Sequence, residues 1–142
     1  MTKIYKFLDV LSLSRILCFN EKKQVSSMTL REIASLLEAE LLTAEADLDR
    51  QVPCAFASDL ISDILMCTKE PTLLLTGLAN TQVIRLSDMI DISGIVFVRG
   101  KQPSQELIEM ALERGLPLLR TKMTMYRSSG LLYNAGLRSC KI

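Results

Sequence analysis

Two segments 23 residues apart carry the same pattern: TLLLTGLANTQVI, ending at Ile84, and IVFVRGKQPSQEL, ending at Leu107. Each begins with an apolar run (Leu73 to Leu75, Val96 to Val98) and passes through a polar residue and a glycine (Thr76-Gly77, Arg99-Gly100). Four residues after each glycine a hydroxyl (Thr81, Ser104) opens a helical spacing. Short continuous apolar runs suit strands buried on both faces, and strand, turn and helix in repetition build a parallel sheet covered by helices. Ligands of such sheets bind where strands end and helices begin, so function is sought at these turns.

A chain of 142 residues suits one domain able to bury about two-thirds of its unfolded surface. Its composition, 49% hydrophobic and 23% charged, is that of a globular protein. No apolar run approaches the roughly 18 residues of a spanning helix. The most apolar N-terminal stretch, Phe7 to Phe19, is interrupted by Asp9 and Arg15 and is followed by no small-residue cleavage site, so a cytoplasmic protein is expected, without membrane partners. The four cysteines, Cys18, Cys54, Cys67 and Cys140, form no CxxC pair and the chain has no histidine, which argues against a structural zinc site and removes histidine-based catalysis. No metal or cofactor is expected, and Cys54 and Cys67 read as small buried hydrophobes.

Charge is uneven although the net value is +1: residues 1–27 sum to +3, residues 28–94 to −7 and residues 95–142 to +5. The basic positions are scattered, without a basic run or interleaved aromatics, so no nucleic acid is expected as partner. Opposite charge on the two parts favours their packing together or the association of two subunits.

A T-x-x-E capping box, Thr29 to Glu32, opens a helix whose apolar face is Leu30, Ile33, Ala34, Leu36 and Leu37. A short strand, Glu40 to Thr43, and an acidic surface turn, Glu45 to Arg50, follow. Val52 to Ala57 reads as a strand with Pro53 near its start, after which Ser58-Asp59 caps a helix with the buried stripe Leu60, Ile61, Ile64 and Leu65. The strand Thr72 to Leu75 comes next, then helices at about Thr81 to Ile90 and Pro103 to Arg114, the second ended by Gly115. Strand Leu118 to Arg120 precedes a last helix opening near Thr124. The expected fold is a single three-layer α/β domain over residues 28–136 with a mostly parallel sheet; residues 1–27 read as an N-terminal extension and residues 137–142 as a C-terminal tail.

In a parallel sheet the turns Ser58-Asp59, Thr76-Gly77, Arg99-Gly100 and Thr121-Lys122 would converge on one edge, with Thr81 and Thr124 opening helices there. Glycine admits close approach of backbone to ligand, helix N-termini favour anions, and Arg99 or Lys122 can pair with phosphate or carboxylate. These ten residues are the candidate ligand-binding set. The same residues also have a purely structural reading, with Gly77 and Gly100 permitting turns and Ser58, Thr81, Ser104 and Thr124 capping helices. Gly94 to Gly100-Lys101-Gln102 misses the phosphate-loop spacing and its hydroxyl, and no G-x-S-x-G or G-x-G-x-x-G occurs.

The stretch IVFVRGKQPSQELIEMALERGLPLLRTKMTMYRSSGLL, residues 95–132, resembles the end of the N-terminal domain of bacterial HPr kinase/phosphorylase. Residues 28–136 as a whole resemble the stand-alone DRTGG domain, which shares that fold and also occurs beside CBS domains and in phosphate acetyltransferases; ASDLISDIL and LLLTGL follow its pattern. The family's Asp-Arg pair falls at Asp59-Leu60 and its Thr-Gly-Gly element at Thr76-Gly77-Leu78, so leucine replaces the arginine and the second glycine. The resemblance implies a regulatory or ligand-sensing domain, homodimeric and without the kinase's chemistry, that binds a small anionic ligand such as an adenine nucleotide or docks on a partner enzyme. The alternative is a small transferase or hydrolase using Asp59 with Thr76 or Arg99.

Overall fold

The computed structural model describes residues 27–67 and 70–142. The expected N-terminal extension therefore lies, but for its last residue, outside the described residues. Strands β1 (Met28–Thr29) and β3 (Gln51–Val52) form a small antiparallel ladder. The main sheet holds β2 (Glu40–Leu41), β4 (Cys54–Ala57), β5 (Thr72–Thr76), β6 (Ile92–Phe97), β7 (Leu118–Arg120) and β8 (Arg138–Ser139), in the order β2-β7-β6-β5-β4-β8. Every pairing in it is parallel except β2 with β7. The helices are α1 (Leu30–Leu36), α2 (Ile61–Ile64), α3 (Thr81–Arg85), α4 (Gln105–Glu113) and α5 (Met125–Asn134), with a 3-10 turn Leu86–Asp88 extending α3.

The three-layer arrangement follows from strand periodicity, because successive side chains leave a strand on opposite faces. Leu74, Ile95, Phe97 and Leu118 face one core with Ile64, Val83, Ile84, Leu107 and Ala111, from α2, α3 and α4. Leu73, Leu75, Val96 and Leu119 face the other with Leu30, Ile33 and Leu132, from α1 and α5. The apolar runs are thus strands covered on both sides, the reason their sequences do not alternate.

Several expectations are corrected in detail. Val52 to Ala57 is not one strand: Pro53, which has no N–H to give a ladder, stands where the chain passes from the small sheet to the main one. Residues 137–142 are more than a tail, since β8 joins the sheet beside β4, Leu137 is buried, and the Cys140 N–H donates to the Ala55 carbonyl at 3.1 Å. Cys54 and Cys140 are not free thiols but a disulfide joining neighbouring strands, whereas Cys67 is free and buried as expected. Sequence spacing could not reveal this pair, because 86 residues separate its members.

The caps show which polar side chain wins each helix start. Thr29 and Glu32 form the reciprocal box, and Ser104 and Thr124 accept from the N–H groups of Leu107 and Arg127. Asn80, not Thr81, caps α3, its carboxamide oxygen accepting from Gln82 and Val83. Ser58-Asp59 does not cap α2: the helix starts at Ile61 after Leu60, without a side-chain cap. Leu60, expected in the buried stripe, is 57% exposed.

Leu74 sits at the centre of the sheet with no exposed surface. Leu74→Ala is expected to cost about 2–5 kcal/mol, read by denaturant unfolding, against less than about 0.5 kcal/mol for Leu60→Ala. Equal losses at the two positions would contradict this packing.

Candidate functional site

Because β4, β5, β6 and β7 run parallel, their carboxyl ends lie along one edge of the sheet. Backbone hydrogen bonds continue the ladder past those ends: Ser58 N–H donates to Leu75 O (3.1 Å), Val98 N–H to Thr76 O (3.0 Å) and Gly100 N–H to Thr121 O (2.8 Å). The four predicted turns are therefore neighbours in the order their strands impose.

Asp59 is the hub. One carboxylate oxygen accepts from the Gly77 N–H at 2.6 Å and from the Thr76 hydroxyl at 3.0 Å. The other lies 3.6 Å from the Arg99 guanidinium, an ion pair nearly half exposed on both sides and so of small energetic weight. Burial pushes the Asp59 carboxyl up, but the Gly77 N–H, the Thr76 hydroxyl and the Arg99 charge outweigh it and hold the carboxyl below its ordinary value. Asp59 is consequently ionised at neutral pH and a weak proton acceptor.

Arg99 reaches this place by an uncommon backbone. Its φ is 57° and that of Gly100 is 64°, two successive left-handed residues, the first of which carries a side chain. The loop after β7 secures them: Arg99 N–H donates to Met123 O at 2.8 Å beside the Gly100 bond. The guanidinium then lies across Gly77, where an added Cβ would overlap it. A side chain at 77 would therefore displace the Arg99 guanidinium from this position, and the glycine matters for that close approach rather than for its own φ.

The ten candidates separate by exposure. Asp59, Arg99, Gly100, Lys122 and Thr124 are exposed, and Ser58, Gly77 and Thr81 are half-buried. Thr76 and Thr121 are buried and reach no surface ligand. Thr76 donates to Asp59 and accepts from Leu78 N–H, while Thr121 donates to Leu37 O at 2.7 Å and accepts from Met123 N–H. Both hydroxyls brace the turns from within. Ser58 accepts from Leu60 N–H, and Thr81 stands in the first turn of α3 with no bond to the Asp59 cluster among the described residues.

Sequence reasoning missed two cations at this edge. Lys101 and Arg127 are exposed, one beside Gly100 and the other in the first turn of α5, and their position next to a turn and a cap was the available signal. It also missed a groove of about 660 Å³ beside this edge, between α5 and strands β4 and β8, bordered by Ala57, Leu75, Tyr126, Arg127, Tyr133 and Arg138. Its walls come from separate segments, so no local pattern marks it. Among the described residues no cluster of acidic or cysteine side chains could hold a metal ion.

The sequence profile described as the DRTGG domain matches residues 32–135. No curated protein matches the chain. Among solved structures, the chain is similar to the CBS and DRTGG domains of the regulatory region of Clostridium perfringens pyrophosphatase, complexed with its activator, diadenosine tetraphosphate. The TM-score is 0.63 at 17% identity, over 87% of this chain and 56% of that one, so this chain spans little more than half that length. At this identity the likeness is one of fold.

A lowered carboxyl pKa stabilises the fold above the unfolded value near 4 and loses that effect as pH falls through the folded value. The stability difference between wild type and Asp59→Asn, at most about 1 kcal/mol for so exposed a pair, should stay level from about pH 7 to 5 and shrink below about 4. Denaturation midpoints across that range read it, and a gap that widens on acidification would contradict the assignment.

Proposed function

The chain belongs to the DRTGG domain family, and from that premise we propose that it is a non-catalytic regulatory domain. It binds a small anionic ligand, an adenine nucleotide by preference, at the edge carrying Asp59, Gly77, Arg99 and Lys122, and passes that signal to a partner enzyme. The observation that carries the proposal is the Arg99 guanidinium, held over Gly77 by a left-handed backbone and paired loosely enough with Asp59 to exchange it for a phosphate. The N-termini of α4 and α5 follow the neighbouring strands at the same edge and favour negative charge. A solved relative in fold, the regulatory region of a pyrophosphatase with a bound adenine dinucleotide, supports the ligand class.

The competing transferase or hydrolase would use Asp59 as base toward Thr76 or with Arg99. The hydroxyl and carboxylate do touch, but Thr76 is fully buried and Asp59 is held ionised below its ordinary pKa, which disfavours attack on a substrate. We further propose a cytoplasmic homodimer whose unit is residues 28–136 extended by β8. Leu60 and Met66, more than half exposed at the two ends of the α2 segment, support association, and among the described residues no helix is long and apolar enough to cross a membrane.

Calorimetry of wild type, Arg99→Ala and Lys122→Ala against adenine nucleotides and phosphorylated metabolites tests the reading. Loss of one charge-assisted bond at Arg99 should cost roughly 1.5–3 kcal/mol, about ten- to a hundred-fold in affinity. Turnover of any compound, or tight binding unchanged by both substitutions, would overturn it. Light scattering on the same samples should give a dimer at micromolar concentration; a monomer removes that part.

A further inference from the structure

We propose that the Cys54–Cys140 bond is a reversible redox site that latches the C-terminal strand to the sheet, and that its reduction releases β8 while the rest of the domain stays folded. The latch matters because little else holds that strand. β8 meets β4 through two residue pairs, Cys54 with Arg138 and Ala55 with Ser139, followed by the Cys140 to Ala55 hydrogen bond. Arg138 adds an ion pair to Glu70 at 2.7 Å and Leu137 a buried side chain, whereas Lys141 and Ile142 are exposed. A two-residue strand at the edge of a sheet is a place where structure opens first.

The surroundings of the two sulfurs suit both redox states. Cys54 Sγ lies 3.7 Å from the Pro71 carbonyl, and Cys140 Sγ lies 3.3 Å from the Thr72 hydroxyl, whose own proton is directed to the Glu70 carbonyl. A disulfide donates to neither oxygen, whereas the dithiol can donate to both, so reduction leaves no buried S–H without an acceptor. The third cysteine of this cluster, Cys67, is buried, and burial pushes its thiol up, which keeps it protonated and slow to exchange with the disulfide.

The chemistry is a two-electron exchange with a dithiol reductant. A thiolate of the reductant attacks Cys140 Sγ, the sulfur of the less deeply buried residue, forming a mixed disulfide while Cys54 leaves as thiolate and takes a proton. The reductant's second thiol then breaks the mixed disulfide, freeing the Cys140 thiol and leaving the reductant oxidised. Reoxidation by a small disulfide reverses both steps. Leu137, Arg138 and Ser139 line the groove beside Ala55 to Ala57, on the side that faces α5, so release of β8 opens that groove.

The test is hydrogen exchange with mass spectrometry on the full chain, before and after dithiothreitol and again after oxidised glutathione. Air-oxidised protein should show Cys54 linked to Cys140 with Cys67 free, and reduction should add two hydrogens. Exchange in residues 138–140 should then accelerate at least about tenfold while residues 72–76 and 92–97 stay protected, and reoxidation should restore the slow rate. Cys140→Ser should exchange rapidly in every condition and Cys67→Ser should behave as wild type. No Cys54–Cys140 link after oxidation, a link that includes Cys67, unchanged exchange on reduction, or loss of protection throughout the sheet would each overturn the proposal.

Discussion

The structure depends on four adjacent parallel strands, of which the central two, β5 and β6, are buried on both faces. A backbone in such a place has no water to bond, so each of β4 to β7 must satisfy its polar groups through its neighbours. That requirement aligns the strands, and alignment has two consequences. Alternate side chains are divided between two cores, one under α2, α3 and α4 and one under α1 and α5. The turns that leave the strands are delivered to a single edge, where polar groups far apart in sequence become neighbours.

At that edge the residues shared with the family motif prove to be one bonded unit. Asp59 receives the hydroxyl of Thr76 and the N–H of Gly77, so the motif ties the end of β5 to the turn after β4. Leu60, where the family carries arginine, is exposed and brings no charge. A guanidinium comes instead from Arg99, two strands further on, and lies over the glycine that makes room for it. The left-handed pair Arg99-Gly100 is a strained element that two backbone bonds from the loop after β7 hold in place, the kind of local cost that persists where the surroundings over-determine it.

Much of this was legible in the chain itself. The run at Thr72–Thr76, the capping box at Thr29, the caps Ser104 and Thr124, the stop at Gly115 and the mostly parallel direction of the strands all follow from local rules that act within a few residues. Errors arose where two local solutions compete or where partners are distant. Asn80 displaced Thr81 because both can cap and only one has the extended backbone. Asp59 left its helix unserved because two donors of the next strand claimed its carboxylate.

Residue order by itself determined the central strands, the helix starts at Thr29, Ser104 and Thr124, and the edge at which the turns gather, since apolar period, caps and the need to bond a buried backbone are properties of short segments. Tertiary structure alone decided which hydroxyls face inward, as Thr76 and Thr121 do, and which cation covers Gly77. It likewise decided that Cys54 meets Cys140 and that residues 137–142 complete the sheet. These depend on contacts between segments tens of residues apart, and sequence spacing carries no signal for a pair that only the packed sheet brings together.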